Sequence, residues 1–269
     1  MNVRSLLEAF VQEDLGDGDP TGSLLGKTTI QARIITRQGG VISGTRHAAT
    51  IFSMKNCQTK ILIQDRQHAS AGDSVMEIHG DGAGMLSLER VALNLLSRMS
   101  GIATLTEQMV SSLPKGVRLL STRKTAPGLR IFDKEAVEDG GGMRHRMNLG
   151  GMIMIKDNHI SVEGSLERLI KRALRQKELF EVEVDTPSDC MLAATLGAPI
   201  IMLDNFTPDM IHDVVSELRD VGLRDSVKLE ASGGITIENV VAYGATGVDY
   251  VSTGYVTNSA PSLDMSLEV

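Results

Sequence analysis

From Val117 onward the chain repeats one theme: short apolar runs separated by about 20–35 residues, most of them with helical spacing in between. The runs are Val117–Ser121, Met152–Ile155, Phe180–Val184, Ile200–Leu203, Val227–Leu229 and Tyr250–Ser252. The helical stretches are Ser165–Lys177, Pro187–Leu196, Pro208–Arg219 and Thr236–Ala245. Successive strands joined by helices run parallel, because an antiparallel partner needs only a tight turn. The alternation therefore predicts an α/β class with a parallel sheet, open or closed into a barrel.

The residues before this point follow another pattern. An amphipathic helix over Val3–Glu13 leads into the turn-rich Asp14-Leu15-Gly16-Asp17-Gly18-Asp19-Pro20. Strand-like runs follow at Ile30–Thr36, Lys60–Gln64 and Ser74–His79, punctuated by Gly39-Gly40, Gly72-Asp73 and the glycines between 80 and 84. They predict a small antiparallel sheet with a helix against it. A long helix over Leu86–Leu113, with Leu88, Val91, Ala92, Leu95 and Met99 as its buried stripe, then leads into the second part.

Composition narrows the function. Hydrophobic residues make up 42% of the 269 and charged residues 23%, enough apolar material for a sizeable core. A formal net charge of −7 and the absence of Trp argue against a nucleic-acid binder. No apolar run reaches the ~20 residues of a membrane span. Residues 1–12 carry Arg4 and Glu8 and lack the apolar stretch of a signal peptide. Cys57 and Cys190 stand apart, without metal-ligand spacing. The expectation is a cytoplasmic protein that binds neither membrane nor nucleic acid.

The strand ends carry the chemistry. The apolar runs stop at Thr122-Arg123-Lys124, Lys156-Asp157-Asn158-His159, Glu183 with Asp185, Asp204-Asn205, Glu230 to Gly234, and Thr253-Gly254. In βα-barrels the active site forms at the C-terminal ends of the strands. The charges also segregate. Arg118, Arg123, Lys124 and Arg130 lie in one stretch free of acid, and Arg144, His145, Arg146 and Lys156 in another. The acids Glu183, Asp185, Asp204 and Glu230 come later. A basic side of this kind grips carboxylates or phosphates, while an acidic side suits Mg²⁺ whose other ligands are substrate oxygens and water. Gly140-Gly141-Gly142 permits close approach of backbone to an anion. Ser232-Gly233-Gly234 opening a helix, with Gly254 ending the next strand, resembles the phosphate site of many barrels. There is no phosphate-binding Gly-x-x-x-x-Gly-Lys loop and no Gly-x-Ser-x-Gly elbow, and His47, His68, His79 and His212 stand alone.

The run Ser121-Thr122-Arg123-Lys124-Thr125-Ala126-Pro127-Gly128-Leu129-Arg130 resembles the central motif of the quinolinate phosphoribosyltransferases. Further motifs of that family follow in order along nearly the whole chain. Before the central run these are Glu13-Asp14-Leu15-Gly16, Glu89-Arg90-Val91-Ala92-Leu93-Asn94 and Ser100-Gly101-Ile102-Ala103-Thr104. After it come His145-Arg146, Ile155-Lys156-Asp157-Asn158-His159, Glu181-Val182-Glu183-Val184, Leu203-Asp204-Asn205, Glu230-Ala231-Ser232-Gly233-Gly234 and Gly247-Val248-Asp249-Tyr250. Two places depart from it. Arg144 stands where the family usually has Asn, and Asn258 where it often has His.

The resemblance implies an N-terminal α/β sandwich domain over 1–100 and an incomplete TIM-like α/β barrel over 101–257, with the tail 258–269 packing on the former. It implies a decarboxylating pentosyltransferase of NAD biosynthesis, with quinolinate and phosphoribosyl pyrophosphate as substrates and Mg²⁺ as cofactor. It also implies a homodimer or higher even oligomer that shares its active sites. Carried over to this sequence, Arg123, His145, Arg146 and Lys156 hold the quinolinate carboxylates, and Arg90 reaches in from a neighbouring subunit. Lys124 and Lys156 contact phosphoribosyl pyrophosphate. Glu183 and Asp204 position the ribose and Mg²⁺, the metal through water. Ser232, Gly233 and Gly254 hold the 5′-phosphate region. Lys124, Lys156, Glu183 and Asp204 form the catalytic set. Three rival readings remain at this stage: a molybdenum-transport paralogue of the same fold, a Schiff-base lyase using Lys156, and a non-catalytic anion-binding barrel.

Overall fold

The computed structural model describes residues 2–269; Met1, where the N-terminal reading begins, lies outside the described residues. In chain order the elements are α1 (Val3–Leu15), β1 (Thr29–Thr36), β2 (Gly40–Val41), α2 (Thr45–Ser53), β3 (Gln58–Ile61), β4 (His68–Ala69), β5 (Ser74–Asp81) and α3 (Gly82–Ser112). Next come β6 (Arg118–Ser121), α4 (Arg130–Asp139), β7 (Ile153–Ile155), α5 (Asp157–Glu163), α6 (Leu166–Gln176), β8 (Phe180–Val184) and α7 (Pro187–Thr195). The chain ends with β9 (Ile200–Asp204), α8 (Pro208–Asp220), β10 (Lys228–Ser232), α9 (Val240–Gly244), β11 (Tyr250–Thr253), α10 (Tyr255–Asn258) and β12 (Met265–Glu268).

These elements form two compact units. The first takes the residues up to Glu107, then Thr125–Gly141 and Val256–Val269; the second takes Gln108–Lys124 and Gly142–Tyr255. The first unit holds an antiparallel sheet in the order β12-β1-β5-β3, with α2 against β3 and β5 and α1 against α2. Asn2 caps α1 by accepting the Ser5 N–H at 2.8 Å, and Gly16, at φ 51°, ends it. Along α3 the side chains of Leu88, Ala92, Leu95 and Met99 are buried as their spacing predicts. At Gly101 a Cβ would meet the Pro261 carbonyl oxygen at 2.0 Å, so only glycine lets the C-terminal tail pass over the helix there. Beyond that crossing, β12 pairs with β1.

The unit boundary differs from the expected one over residues 125–141. Helix α4 belongs with the first unit because its contacts are there. Phe132 packs on Phe10 and edge-on against His47, and Asp133, fully buried, takes a bidentate pair from Arg98 at 2.8 and 2.9 Å. Ser43 and Arg66 both bind Asp139.

The second unit is a six-stranded parallel sheet in the order β6-β11-β10-β9-β8-β7. Strands β7 to β11 neighbour one another in chain order and β6 closes on β11, so the succession is that of a barrel with one gap, between β6 and β7. The segment at Met143 lies along β6, its N–H on the Leu119 carbonyl and its carbonyl accepting from Ser121 N, each at 2.9 Å. The crossover helices follow the sequence signals closely. Thr186 and Thr207 cap α7 and α8, each followed by a proline in the first turn, and α8 buries Ile211, Val214, Val215 and Leu218 on one face.

Candidate active site

The inner face of the parallel sheet repeats every second residue, as strand geometry requires. On β8, Phe180, Val182 and Val184 are buried, while Glu181 and Glu183 alternate with them. Register places Glu183 beside Met202, Met202 beside Glu230, and Asp204 beside Ser232. Together with Met154, Lys156 and Ser252 these side chains line a cavity of about 250 Å³. Ser121, Thr122, Arg123, Lys124, His145 and Arg146 complete its wall. The loop carrying His145 and Arg146 enters beside β6, because the Met143 segment occupies the gap in the barrel.

Seven sequence-predicted residues beyond β-strand caps meet here as one lining: Arg123, Lys124, His145, Arg146, Lys156, Glu183 and Asp204, with Ser232 beside them. Lys156 forms an ion pair with Glu183. Its own N–H donates to His159 Nδ1 at 3.0 Å, which ties down the turn from β7 into α5. Asp204 Oδ2 accepts from Asn205 Nδ2 at 2.8 Å. Partial burial, and then Arg123 nearby, push the Arg146 guanidinium below its usual value. Two cations held close together at a cavity wall are a site for an anion.

Three predicted residues sit elsewhere. Gly233 turns the chain beside Asn205 at φ 98°, where a Cβ would lie 2.2 Å from Asn205 Oδ1, so its glycine shapes the β10 end without lining the cavity. Gly254 follows β11 and is likewise absent from the lining. Arg90 lies on α3 in the first unit, its side chain 65% exposed, and lines a different cavity with Asn94, Ser97 and residues 262–265.

The sequence reading set Glu230 among the strand-end acids but gave Glu181 no role. Glu181 and Glu230 are buried to 0% and 1% exposure, and both approach His145 Nε2, at 3.1 and 3.7 Å. Burial, more than any other influence, pushes Glu181 up to about 7 and Glu230 up to about 8. The available signal was the period of two: Glu181 shares the face of Glu183, and Glu230 that of Ser232.

Mg²⁺ fits this lining only in a limited way. Glu183 is engaged by Lys156, and Asp204 presents a single carboxylate to the cavity. Among the described residues, the one cluster of three metal-ligating side chains is His145, Glu181 and Glu230. Neither Glu183 nor Asp204 belongs to a closed protein ligand set, so a hard cation here would take most of its ligands from substrate oxygens and water.

A barrel whose strand ends gather cations and carboxylates around one small cavity defines an α/β enzyme that works on an anionic substrate. Comparison with known proteins makes the class specific. The C-terminal domain of quinolinate phosphoribosyl transferase matches residues 102–268, and the N-terminal domain of the same family matches residues 19–100. A probable nicotinate-nucleotide pyrophosphorylase (carboxylating) of Archaeoglobus fulgidus is 46% identical over 244 residues, covering 89% of this chain and 94% of the relative. The nicotinate-nucleotide pyrophosphorylase (carboxylating) of Rattus norvegicus is 34% identical over 275 residues, covering 100% of this chain and 91% of its own. A crystal structure of nicotinate-nucleotide pyrophosphorylase from Ehrlichia chaffeensis superposes with a TM-score of 0.94 at 33% identity, covering 100% of this chain and 98% of that one. The chain belongs to the quinolinate phosphoribosyl transferase family.

Proposed function

We propose that this protein transfers the phosphoribosyl group of phosphoribosyl pyrophosphate to the ring nitrogen of quinolinate and releases the adjacent carboxylate as CO₂. The products are nicotinate mononucleotide and pyrophosphate, and the step belongs to NAD biosynthesis. The observation that carries the reading is the pairing of Arg123 with Arg146, backed by Lys124 and Lys156, in a cavity that Glu183 and Asp204 also line. Quinolinate is a dicarboxylate, and the fork of an arginine matches a carboxylate in two parallel hydrogen bonds.

In this reading the arginines fix the ring plane so that its nitrogen faces C1 of the ribose. Lys124 and Lys156 hold the diphosphate, and Ser232, with the turn at Gly233 and Gly254, shapes the 5′-phosphate end. As the C1–O bond breaks, positive charge grows on the ribose, and the fixed carboxylates of Glu183 and Asp204 stabilise it. Glu183 and Asp204 would hold Mg²⁺ through water, where it would supply charge neutralisation to the leaving pyrophosphate. Decarboxylation then breaks the bond between the ring carbon and the carboxylate. The electron pair stays on carbon beside the cationic nitrogen and is taken up by a proton. No covalent nucleophile is needed, so positioning and electrostatics carry the work.

A homodimer or higher even oligomer completes the site in this account, through Arg90 on the exposed face of α3. The cytoplasm is the proposed location. No helix among the described residues is long and apolar enough to cross a membrane. The lyase alternative asks Lys156 to act as a neutral amine nucleophile, yet its ammonium is paired with Glu183. Borohydride reduction in the presence of quinolinate is expected to leave Lys156 unmodified, and a trapped adduct would favour the lyase. The transfer reading itself is tested by CO₂ release from carboxyl-labelled quinolinate. It requires that release to depend on phosphoribosyl pyrophosphate.

A further inference from the structure

The end of β9 carries a side chain that the transfer chemistry does not use. Asp204 is the last residue of the strand and lines the cavity; Asn205 follows it with the backbone turned left-handed, at φ 57°. Few residues other than glycine hold that conformation, and Asn is one of them. Three features lock the turn. The Asn205 backbone N–H donates to the Ser232 carbonyl at 2.9 Å, which ties the end of β9 to the end of β10. The side-chain amide folds back on the preceding residue, Nδ2 donating to Asp204 Oδ2 at 2.8 Å. Gly233 packs so closely that a Cβ there would lie 2.2 Å from Asn205 Oδ1 and 2.7 Å from Asn205 N.

These features depend on one another. A carboxylate only accepts, so it takes the amide nitrogen, and Oδ1 then occupies the space that glycine leaves open at position 233. Gly233, absent from the cavity lining, is thereby required by Asn205. Asn meets two demands at once: it tolerates the left-handed backbone and it donates to an anion. Glycine meets only the first, Ser or Gln only the second, and Asp would set another carboxylate beside Asp204. Asn205 is exposed, where a hydrogen bond adds little to the stability of the fold. What the bond sets is direction, because it holds one rotamer of a short side chain that otherwise has several.

We propose that Asn205 is a positioning residue of the active site: locked to Ser232 and seated over Gly233, it holds the Asp204 carboxylate in the orientation that phosphoribosyl pyrophosphate meets. The substrate named here rests on the function proposed above; the hold on Asp204 does not.

A structure and a titration test the two parts separately. The variant is Asn205→Gly, which accepts the left-handed backbone without strain and removes only the side chain. Its substrate-free crystal structure should keep the backbone N–H of residue 205 on the Ser232 carbonyl while the Asp204 carboxylate turns to another rotamer. An Asp204 side chain unmoved in that structure would overturn the proposal whatever the substrate is. Calorimetric titration reads the consequence. Asn205→Gly should bind phosphoribosyl pyrophosphate about tenfold more weakly, bind quinolinate as the wild type does, and melt close to the wild type. Asn205→Ala loses the same amide and also strains the backbone, so it should show the same loss of binding with a lower melting temperature. A merely structural residue would lose binding only as melting temperature falls, with Asn205→Gly binding phosphoribosyl pyrophosphate normally; that result would remove the positioning role. A cycle with Asp204→Ala separates positioning from direct contact, since Asn205→Gly should add no further loss once the Asp204 carboxylate is gone. Additive losses would make Asn205 a substrate contact in its own right and likewise overturn the proposal. A wild type that binds no phosphoribosyl pyrophosphate would sink the functional reading, and the Asn205→Gly structure would still decide the hold on Asp204. Should Asn205→Gly fail to fold, Asn205→Asp, which tolerates the same backbone but cannot donate, takes its place in the structure and the cycle.

Discussion

Arg123 and Arg146 repel one another at the cavity, and under the proposed function an arriving dicarboxylate relieves that repulsion while accepting hydrogen bonds from both. Arg123→Ala and Arg146→Ala should therefore each cost quinolinate about 1.5–3 kcal/mol of binding, with phosphoribosyl pyrophosphate much less affected. Isothermal titration with each ligand separately checks this; unchanged quinolinate affinity in both variants would remove the clamp. The carboxylates of the same cavity should respond differently. Asp204→Asn and Glu183→Gln are expected to leave quinolinate binding nearly intact while lowering turnover and changing its Mg²⁺ dependence. Wild-type turnover across a Mg²⁺ titration in both variants would make these carboxylates structural. At this scale the charged wall was legible in the sequence, because Arg123, Lys156, Glu183 and Asp204 each end an apolar run. The contact of Glu181 with His145 was not. Glu181 lies inside a run rather than at its end, and nothing local shows that β8 and β10 bring it against Glu230 and His145.

Among the elements, β10 and β11 are joined by more than their ladder. Asp249 takes hydrogen bonds from Lys228 Nζ at 2.7 Å, Arg224 Nη2 at 2.9 Å and the Leu229 backbone N–H at 3.0 Å. Burial alone would raise its pKa, but Lys228, Leu229 N–H and Arg224 together hold it below the ordinary aspartate value. A carboxylate with a depressed folded-state pKa lends stability above its unfolded pKa and loses it as pH falls through the folded one. Asp249→Asn should cost about 1–2 kcal/mol near neutral pH, after allowing for solvent screening of a partly exposed group. The gap between variant and wild type should narrow as pH falls below the ordinary aspartate range. Urea unfolding at neutral and acid pH measures it, and a gap independent of pH would contradict the assignment. Helices α6, α7 and α8 could be read from sequence within a residue or two, since their caps and apolar faces agree. So could the strands of the second unit except β10, which runs to Ser232, three residues past its apolar run. Helices α2, α4, α5 and α10 were not expected. The α4 sequence is dominated by charge, and what holds it is tertiary: the Asp133 pair with Arg98 and the packing of Phe132.

For the whole molecule, the two-part plan showed in the change of pattern near residue 115, but the return of residues 125–141 to the first unit did not. That return depends on contacts far apart in the chain, such as Ser43 with Asp139, which leave no periodic trace. Assembly gives a prediction at this scale. Subunits carrying Arg90→Ala and subunits carrying Lys124→Ala, each inactive alone, should regain activity on exchange, up to about half the sites of a mixed dimer. Exchange proven by mass spectrometry without any activity would place the action of Arg90 within its own chain. The most direct measurement of the account is simpler. Purified protein is incubated with carboxyl-labelled quinolinate and Mg²⁺, and labelled CO₂ is counted with and without phosphoribosyl pyrophosphate. The account predicts release only when phosphoribosyl pyrophosphate is present, matched mole for mole by nicotinate mononucleotide and pyrophosphate. Release without it, or none with it, would contradict the account.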